Sequence, residues 1–339
     1  VRGLAWNLAL AALSTALILG LAEGAVRLAG GRPERGVNPL FSWTGEEGDV
    51  WRFEAGARWH TRVGGHPVVI NSDGFRDAEF APRRPGVGRI VVLGDSVTFG
   101  HGQPAAVRFT ERLETLLTRG GARVEVLNAG IPGWSSYQQR AFYERHGQDL
   151  DPDLVLVGFV LNDITEVQRG LLELRLATGM RLARSLNALA ERSAAVAALK
   201  RAFQHSVAPQ EREVRSVLEL VLREDAPEVR HAMDATLGEL ARLDELCRQR
   251  GDRLGLVVFP FRFQIVDPRL DAPQRRLRAF AEERGIPLLD TLPTLRAEGA
   301  DATLMDADHL TALGHRRVAE AIAAWLERES LLPGVGPAA

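Results

Sequence analysis

The chain has 339 residues, 45% of them hydrophobic and 25% charged, a composition that excludes disordered, collagen-like and purely coiled-coil proteins. With 42 basic against 44 acidic residues the formal charge is -2, so there is no overall nucleic-acid footprint and no nucleic-acid partner is expected. The single cysteine, Cys247, excludes an intrachain disulfide and any multi-cysteine metal centre, and it reads as a small buried hydrophobe.

Residues 4–22 form a nearly unbroken apolar run. As helix they rise about 28 Å, close to the hydrocarbon thickness of a bilayer. No small-x-small exit follows, because Ala22 runs through Glu23 into Ala25, Val26 and Leu28. The reading is therefore an uncleaved transmembrane anchor over residues 1–29 rather than a signal peptide. Arg2 precedes the run and Arg27, Arg32 and Arg35 follow it, so the positive-inside rule does not fix sidedness. Residues 30–86 read as a Gly/Pro/Arg-rich linker and a small β-containing prelude, with Trp43, Trp51, Phe53 and Trp59 and a strand-like run at 67–71.

From 87 to 330 short apolar strands alternate with amphipathic helices. Strands are expected at 89–94, 124–128, 153–158, 254–259 and 286–290. The expected helices carry Phe109, Leu113 and Leu116 on one face, then cover roughly 135–147, 230–250, 272–284 and 312–328, the last with Thr311 as N-cap. This pattern predicts an α/β fold, a three-layer α/β/α sandwich around a five-stranded parallel sheet, with its site beyond the carboxyl ends of the strands. An insertion at about 165–229 places Leu182, Leu186, Leu189, Val196 and Phe203 at helical spacing. It reads as an extra helical pair packed on the domain, the alternative being a lid or membrane-facing flap. Residues 331–339 are a tail.

Three of the strands end in residues that carry chemistry. The first runs into Gly94-Asp95-Ser96, which places a serine past a strand end and before a helix. The second ends in Asn128-Ala129-Gly130, where a glycine lets a backbone N–H approach a ligand. The third runs into Asn162-Asp163, a side-chain amide at the same edge. Near the end of the chain, Asp306 stands three residues before His309, spaced to hold one imidazole nitrogen and leave the other as a general base.

This ordered set resembles the SGNH, or GDSL-type, hydrolase superfamily: Ser96, Gly130, Asn162 and His309 match its four name-giving residues, with Asp306 completing the Asp-x-x-His block. The resemblance covers about residues 88–328 and implies a flavodoxin-like fold. It implies a serine ester hydrolase in which Ser96 attacks an ester carbonyl, His309 takes its proton and Asp306 fixes the imidazole tautomer. The N–H groups of Ser96 and Gly130 and the Asn162 amide would form the oxyanion hole, and no metal or organic cofactor is required. The substrate would be an acyl ester of a glycan, lipid or small molecule. Transfer to or removal from a cell-envelope glycan is the alternative activity, and a catalytically silent glycan- or lipid-binding module the alternative class. The run 70–76, Ile-Asn-Ser-Asp-Gly-Phe-Arg, resembles a segment preceding the domain in membrane-anchored bacterial members, so an extracytoplasmic catalytic domain held by the anchor is expected.

Other polar residues near these motifs read as supporting or unrelated. Asp308, adjacent to His309, is expected to point away from the ring, and Asp95 to hydrogen-bond within the site. His315 is set aside as a metal ligand, His101 reads as a surface-loop residue and Arg76 as a structural ion-pair partner. Trp134, Phe261 and Phe263 read as core rather than as the floor of an acyl pocket.

Overall fold

The N-terminal apolar run forms α1 (Arg2–Leu28) in the computed structural model, which describes residues 2–30, 50, 52–61, 64–166, 189, 192–199 and 217–332. The side chains of 2–5, 7–13, 16, 165 and 166 are outside that description, as are the expected linker, most of the insertion and nearly all of the tail. Among the described residues no helix is long and apolar enough to cross a membrane. The chain divides into two compact units, one of residues 1–42 with 174–209, the other of 43–173 with 210–339. In the first, Glu23 of α1 accepts hydrogen bonds from Ser193 Oγ (2.7 Å), Ala194 N (3.0 Å) and Ala195 N (2.9 Å), closing the start of a helical stretch at 194–199. This part of the insertion thus groups with α1.

The second unit begins with the prelude, an antiparallel pair of β1 (Arg58–His60) and β2 (Pro67–Val69). The parallel sheet follows: β3 (Gly88–Gly94), β4 (Val124–Gly130), β5 (Leu154–Val160), β6 (Arg253–Phe259) and β7 (Leu288–Asp290), in spatial order β4-β3-β5-β6-β7. Every residue of β3 and β5 is buried, which is why these segments are continuous apolar runs without polar alternation. Each of Ile90, Val91, Val92 and Leu93 contributes roughly 1.5–3 kcal/mol by leaving water.

Helices cover both faces. After the single turn α2 (Ser96–Phe99), α3 (Phe109–Arg119) packs with the closing helix, while α4 (Ser136–Leu150) packs with a long helix on the other side. Beyond β5 come α5 (Asn162–Glu166) and that long helix, α6 (Pro227–Arg250). The rest are α7 (Arg262–Val266), α8 (Ala272–Arg284), α9 (Leu292–Glu298), α10 (Ala300–Thr303) and α11 (Ala312–Arg328). This is the expected three-layer sandwich. Thr311 caps α11 by accepting from Gly314 N, as its position implied. On α3 it is Leu117 that is buried, while Leu116 is exposed. The sheet order reverses direction beside β3, which puts the ends of β3 and β5 at the crevice where such sheets bind ligands.

Candidate active site

The turn that carries Ser96 is set by the sheet beneath it. Gly130, Gly94 and Gly158 lie side by side in register across β4, β3 and β5. A methyl group on Gly130 would stand 2.5 Å from Phe99 N, and one on Gly94 or Gly158 would strike the Thr98 hydroxyl. The row of missing side chains is what lets α2 settle onto the strand ends. Asp95 caps α2: one carboxylate oxygen accepts from Val97 N at 2.9 Å and the other from Asn162 Nδ2 at 3.1 Å. One buried side chain thereby ties the start of the Ser96 helix to the amide at the end of β5.

The loop between α10 and α11 carries the other half. Leu304 and Leu310 form an isolated antiparallel bridge, and Met305 N donates to His309 O at 2.8 Å. Arg262, at the start of α7, donates to the carbonyls of Asp306 (2.8 Å, Nε) and Leu304 (2.9 Å), and its own N–H donates to Ala307 O at 2.6 Å. Held this way, His309 Nε2 lies 2.9 Å from Ser96 Oγ, and Nδ1 lies 2.8 and 3.0 Å from the two Asp306 oxygens. Asp306 also accepts from the N–H groups of Asp308 (3.2 Å) and His309 (3.0 Å). Ser96 is half-buried, so its hydroxyl stands at the surface of the crevice rather than inside the core.

Charge is concentrated around the imidazole. Burial alone would push His309 down, but the carboxylates of Asp308, Asp306 and Asp95 outweigh it and raise the ring to about 9. Burial would raise Asp306, yet its hydrogen bonds and the His309 charge hold it well below the usual carboxylate range. Burial, with the Asp308 charge, lifts Asp95 to about 6 against the bonds from Val97 and Asn162. Asp163, fully buried and facing the Asp95 charge, is pushed well above the ordinary value despite bonds from Ser136 Oγ and Gln139 Nε2.

Ser96, Asp306, His309 and Asn162 thus meet through Ser96–His309, His309–Asp306 and Asp95–Asn162 contacts. Gly130 behaves otherwise. Strand β4 runs two residues beyond its expected end, and the Gly130 N–H donates to Asn128 Oδ1 at 3.0 Å. It also packs closely beneath α2. Gly133, the second glycine of the same loop, is exposed at φ 81, and its N–H has no acceptor among the described residues. Two glycines in 128–133 were visible in the sequence, but only the true strand end tells them apart.

Asp308 does not point away, since Oδ1 comes within 3.5 Å of His309 Nδ1. The donor atoms of Asp306, Asp308 and His309 lie within 4.8 Å of one another, a spacing the His309 hydrogen bonds already explain. His315 stands apart in the core, where its Nδ1 accepts from Phe109 N at 3.1 Å and burial with nearby Arg108 lowers it to about 3. His101 is exposed, yet its ring centroid lies 4.5 Å from that of His309. Arg76 has no ion pair among the described residues and binds backbone carbonyls instead. Trp134 and Phe261 are buried core residues and Phe263 is half-buried beside Phe261.

No curated protein sequence matches the chain. Among solved structures, a member of the lipolytic protein G-D-S-L family from Veillonella parvula is 15% identical with a TM-score of 0.45, covering 71% of this chain and 100% of its own. A catalytic mutant of the acetylxylan esterase Axe2 from Geobacillus stearothermophilus is 16% identical with a TM-score of 0.44, covering 74% and 97%. The esterase EstA from Pseudoalteromonas sp. is 13% identical with a TM-score of 0.43, covering 72% and 99%. The profile of the GDSL-like Lipase/Acylhydrolase family matches residues 92–317, the stretch that begins within β3 and ends in α11. The chain belongs to that family and is a hydrolase acting on ester bonds.

Proposed function

We propose that the protein hydrolyses esters through an acyl-enzyme on Ser96. The observation that carries this reading is the continuous line from Ser96 Oγ through His309 to Asp306, with steps of 2.9 and 2.8 Å. The Ser96 oxygen attacks the ester carbonyl while its proton passes to His309 Nε2. The carbonyl oxygen becomes the oxyanion, and collapse expels the alcohol, which takes that proton from His309. Water then repeats the sequence and releases the acid. Asp306 holds the Nδ1 proton and stabilises the imidazolium.

In this reading the oxyanion is bound by the Ser96 N–H, by Asn162 Nδ2 and by the N–H of Gly133. Gly133 replaces Gly130 because the Gly130 N–H is already donated to Asn128. Ser96 opens α2, where a first-turn N–H has no helical acceptor. Ser96→Ala should lower turnover of p-nitrophenyl acetate by roughly 10⁴–10⁶ and abolish labelling by a fluorophosphonate. Wild-type activity in that variant would falsify the mechanism.

We also propose that α1 anchors the protein to a membrane. Leu17, Ile18, Leu19 and Leu21 are all 64–65% exposed, an apolar surface that water disfavours and acyl chains accept. Retention in the membrane pellet after alkaline carbonate extraction tests it, and release into the supernatant would count against it.

A further inference from the structure

The run 70–76 has no part in the mechanism above, yet it ends in a buried arginine aimed at the nucleophile turn. Asn71 folds the run: its Oδ1 accepts from Asp73 N (3.0 Å) and Phe75 N (2.9 Å), and its Nδ2 donates to Ala78 O at 2.8 Å. This turn delivers Arg76, only 2% exposed, to the far end of α2. One terminal nitrogen donates to Gly100 O (2.8 Å) and Phe99 O (3.3 Å), the other to Gln103 O (2.7 Å). The guanidinium also lies over the Phe99 ring, 5.2 Å from its centroid. A buried cation that has only carbonyls as partners is costly, and removing those contacts would leave the charge unpaired. Three of the carbonyls it gathers span one short loop, residues 99–103.

That loop touches both halves of the proposed catalytic pair. His101 donates its N–H to Ser96 O at 3.0 Å, so it is tied to the nucleophile's own residue. Its ring packs against that of His309, tilted by 33°. Two residues on, Gln103 Nε2 lies 2.8 Å from Met305 Sδ, next in sequence to Asp306. Arg76 holds the loop from one side, and the loop meets the acid–base segment on the other.

We propose that Arg76 and His101 act as one brace that sets the His309 imidazole in register with Ser96. This rests on the roles given to Ser96 and His309 above. Arg76 fixes the 99–103 loop through its carbonyls, and His101 limits the rotation of the His309 ring by packing against it. Both are positioning residues. Misplacing a proton acceptor by about 1 Å costs up to 100-fold in rate, whereas substrate binding is unaffected by a ring that only moves the proton.

The test is steady-state hydrolysis of p-nitrophenyl acetate by the full chain, comparing H101A, H101F, R76M, the double variant R76M/H101A, and S96A as control. H101A should lower kcat about tenfold or more with KM changed by less than about twofold. H101F, which restores a planar ring, should recover most of that loss. R76M should lower kcat comparably, and the double variant should be no slower than the slower single, because both act through one ring. If R76M does not fold, R76K takes its place, keeping a cation but reaching fewer carbonyls. Wild-type kcat in H101A, no recovery in H101F, or losses that multiply in the double variant would each overturn the brace. Activity surviving in S96A would instead sink the catalytic reading itself, so the two failures are distinguishable.

Discussion

Asp308 is the residue whose removal separates a positioning carboxylate from a tuning one. Its Oδ1 lies 3.5 Å from His309 Nδ1 and its side chain is 5% exposed, so its charge bears directly on the imidazole. At that distance Coulomb's law gives about 1 kcal/mol in water and about 5 kcal/mol at an effective dielectric of about 20. The lower figure is a floor, equivalent to about one pKa unit. A general base must be neutral to act, so on the proposed mechanism activity should be present above the His309 value of about 9 and lost as pH falls through it. At pH 7 about one molecule in a hundred then carries the neutral ring, against about one in ten if the value drops by a unit. Asp308→Asn should therefore raise kcat/KM at pH 7 by about tenfold, while the alkaline plateau stays within about threefold. The assay is a pH–rate profile between pH 6 and 10.5 on p-nitrophenyl acetate, with Asp306→Asn run beside it. Asp306→Asn should lose about 10⁴-fold on the plateau because the imidazole tautomer is no longer fixed. An unmoved acid limb in Asp308→Asn, or a plateau as low as that of Asp306→Asn, would refute this assignment of the two carboxylates.

Asn162→Ala should cut kcat by about 10²–10³ on the same ester if the amide binds the oxyanion, with little change in KM. Gly130→Ala keeps the N–H but forces the Phe99 backbone away, so it should lower Tm by several degrees as well as activity. An unchanged Tm in Gly130→Ala would argue against that close packing. Asp163 binds a proton in the native state at pH values where the unfolded chain has released it, so its contribution to stability falls as pH rises above about 4. Asp163→Asn should flatten the alkaline side of a Tm-against-pH curve, and an unchanged slope would argue against a protonated Asp163.

The sheet was legible in the sequence because strands buried on both faces must be continuous apolar runs, and 89–94, 154–158 and 254–259 could be little else. Ser96, His309 and Asp306 stood out for a different reason: each is weak alone, but a serine at a strand end and an aspartate three residues before a histidine come in the order of a known hydrolase family. Three things were not legible. Gly130 and Gly133 differ only by where β4 stops, and the register that extends it depends on packing against β3. Asp308 lies beside the ring because the Leu304–Leu310 bridge folds the loop back on itself, a pairing no local pattern encodes. Arg76 and Arg262 looked like ordinary charged residues in a chain full of arginine. Apart from the Asp301 carboxylate that also pairs with Arg262, their partners are backbone carbonyls far away in sequence, which carry no sequence signal.

Those two arginines share a logic with the aspartates around them. Loops beyond strand ends have carbonyls and N–H groups that no ladder satisfies. Arginine offers five donors and no acceptor, so Arg76 and Arg262 gather the carbonyls of the 99–103 loop and of the 304–310 loop. Aspartate in its charged form only accepts, so Asp95 gathers the Val97 N–H and the Asn162 amide, and Asp306 the His309 N–H and imidazole. The loops become rigid without regular secondary structure, and donors and acceptors are consumed in separate places. Among the described residues this leaves the N–H groups of half-buried Ser96 and exposed Gly133 without an intramolecular acceptor. On the proposed mechanism that remainder is what a developing oxyanion requires: fixed donors that need no reorganisation when charge appears. A variant that supplied an intramolecular acceptor to either N–H should slow acylation while leaving the fold intact, a loss measurable as slower fluorophosphonate labelling at unchanged Tm.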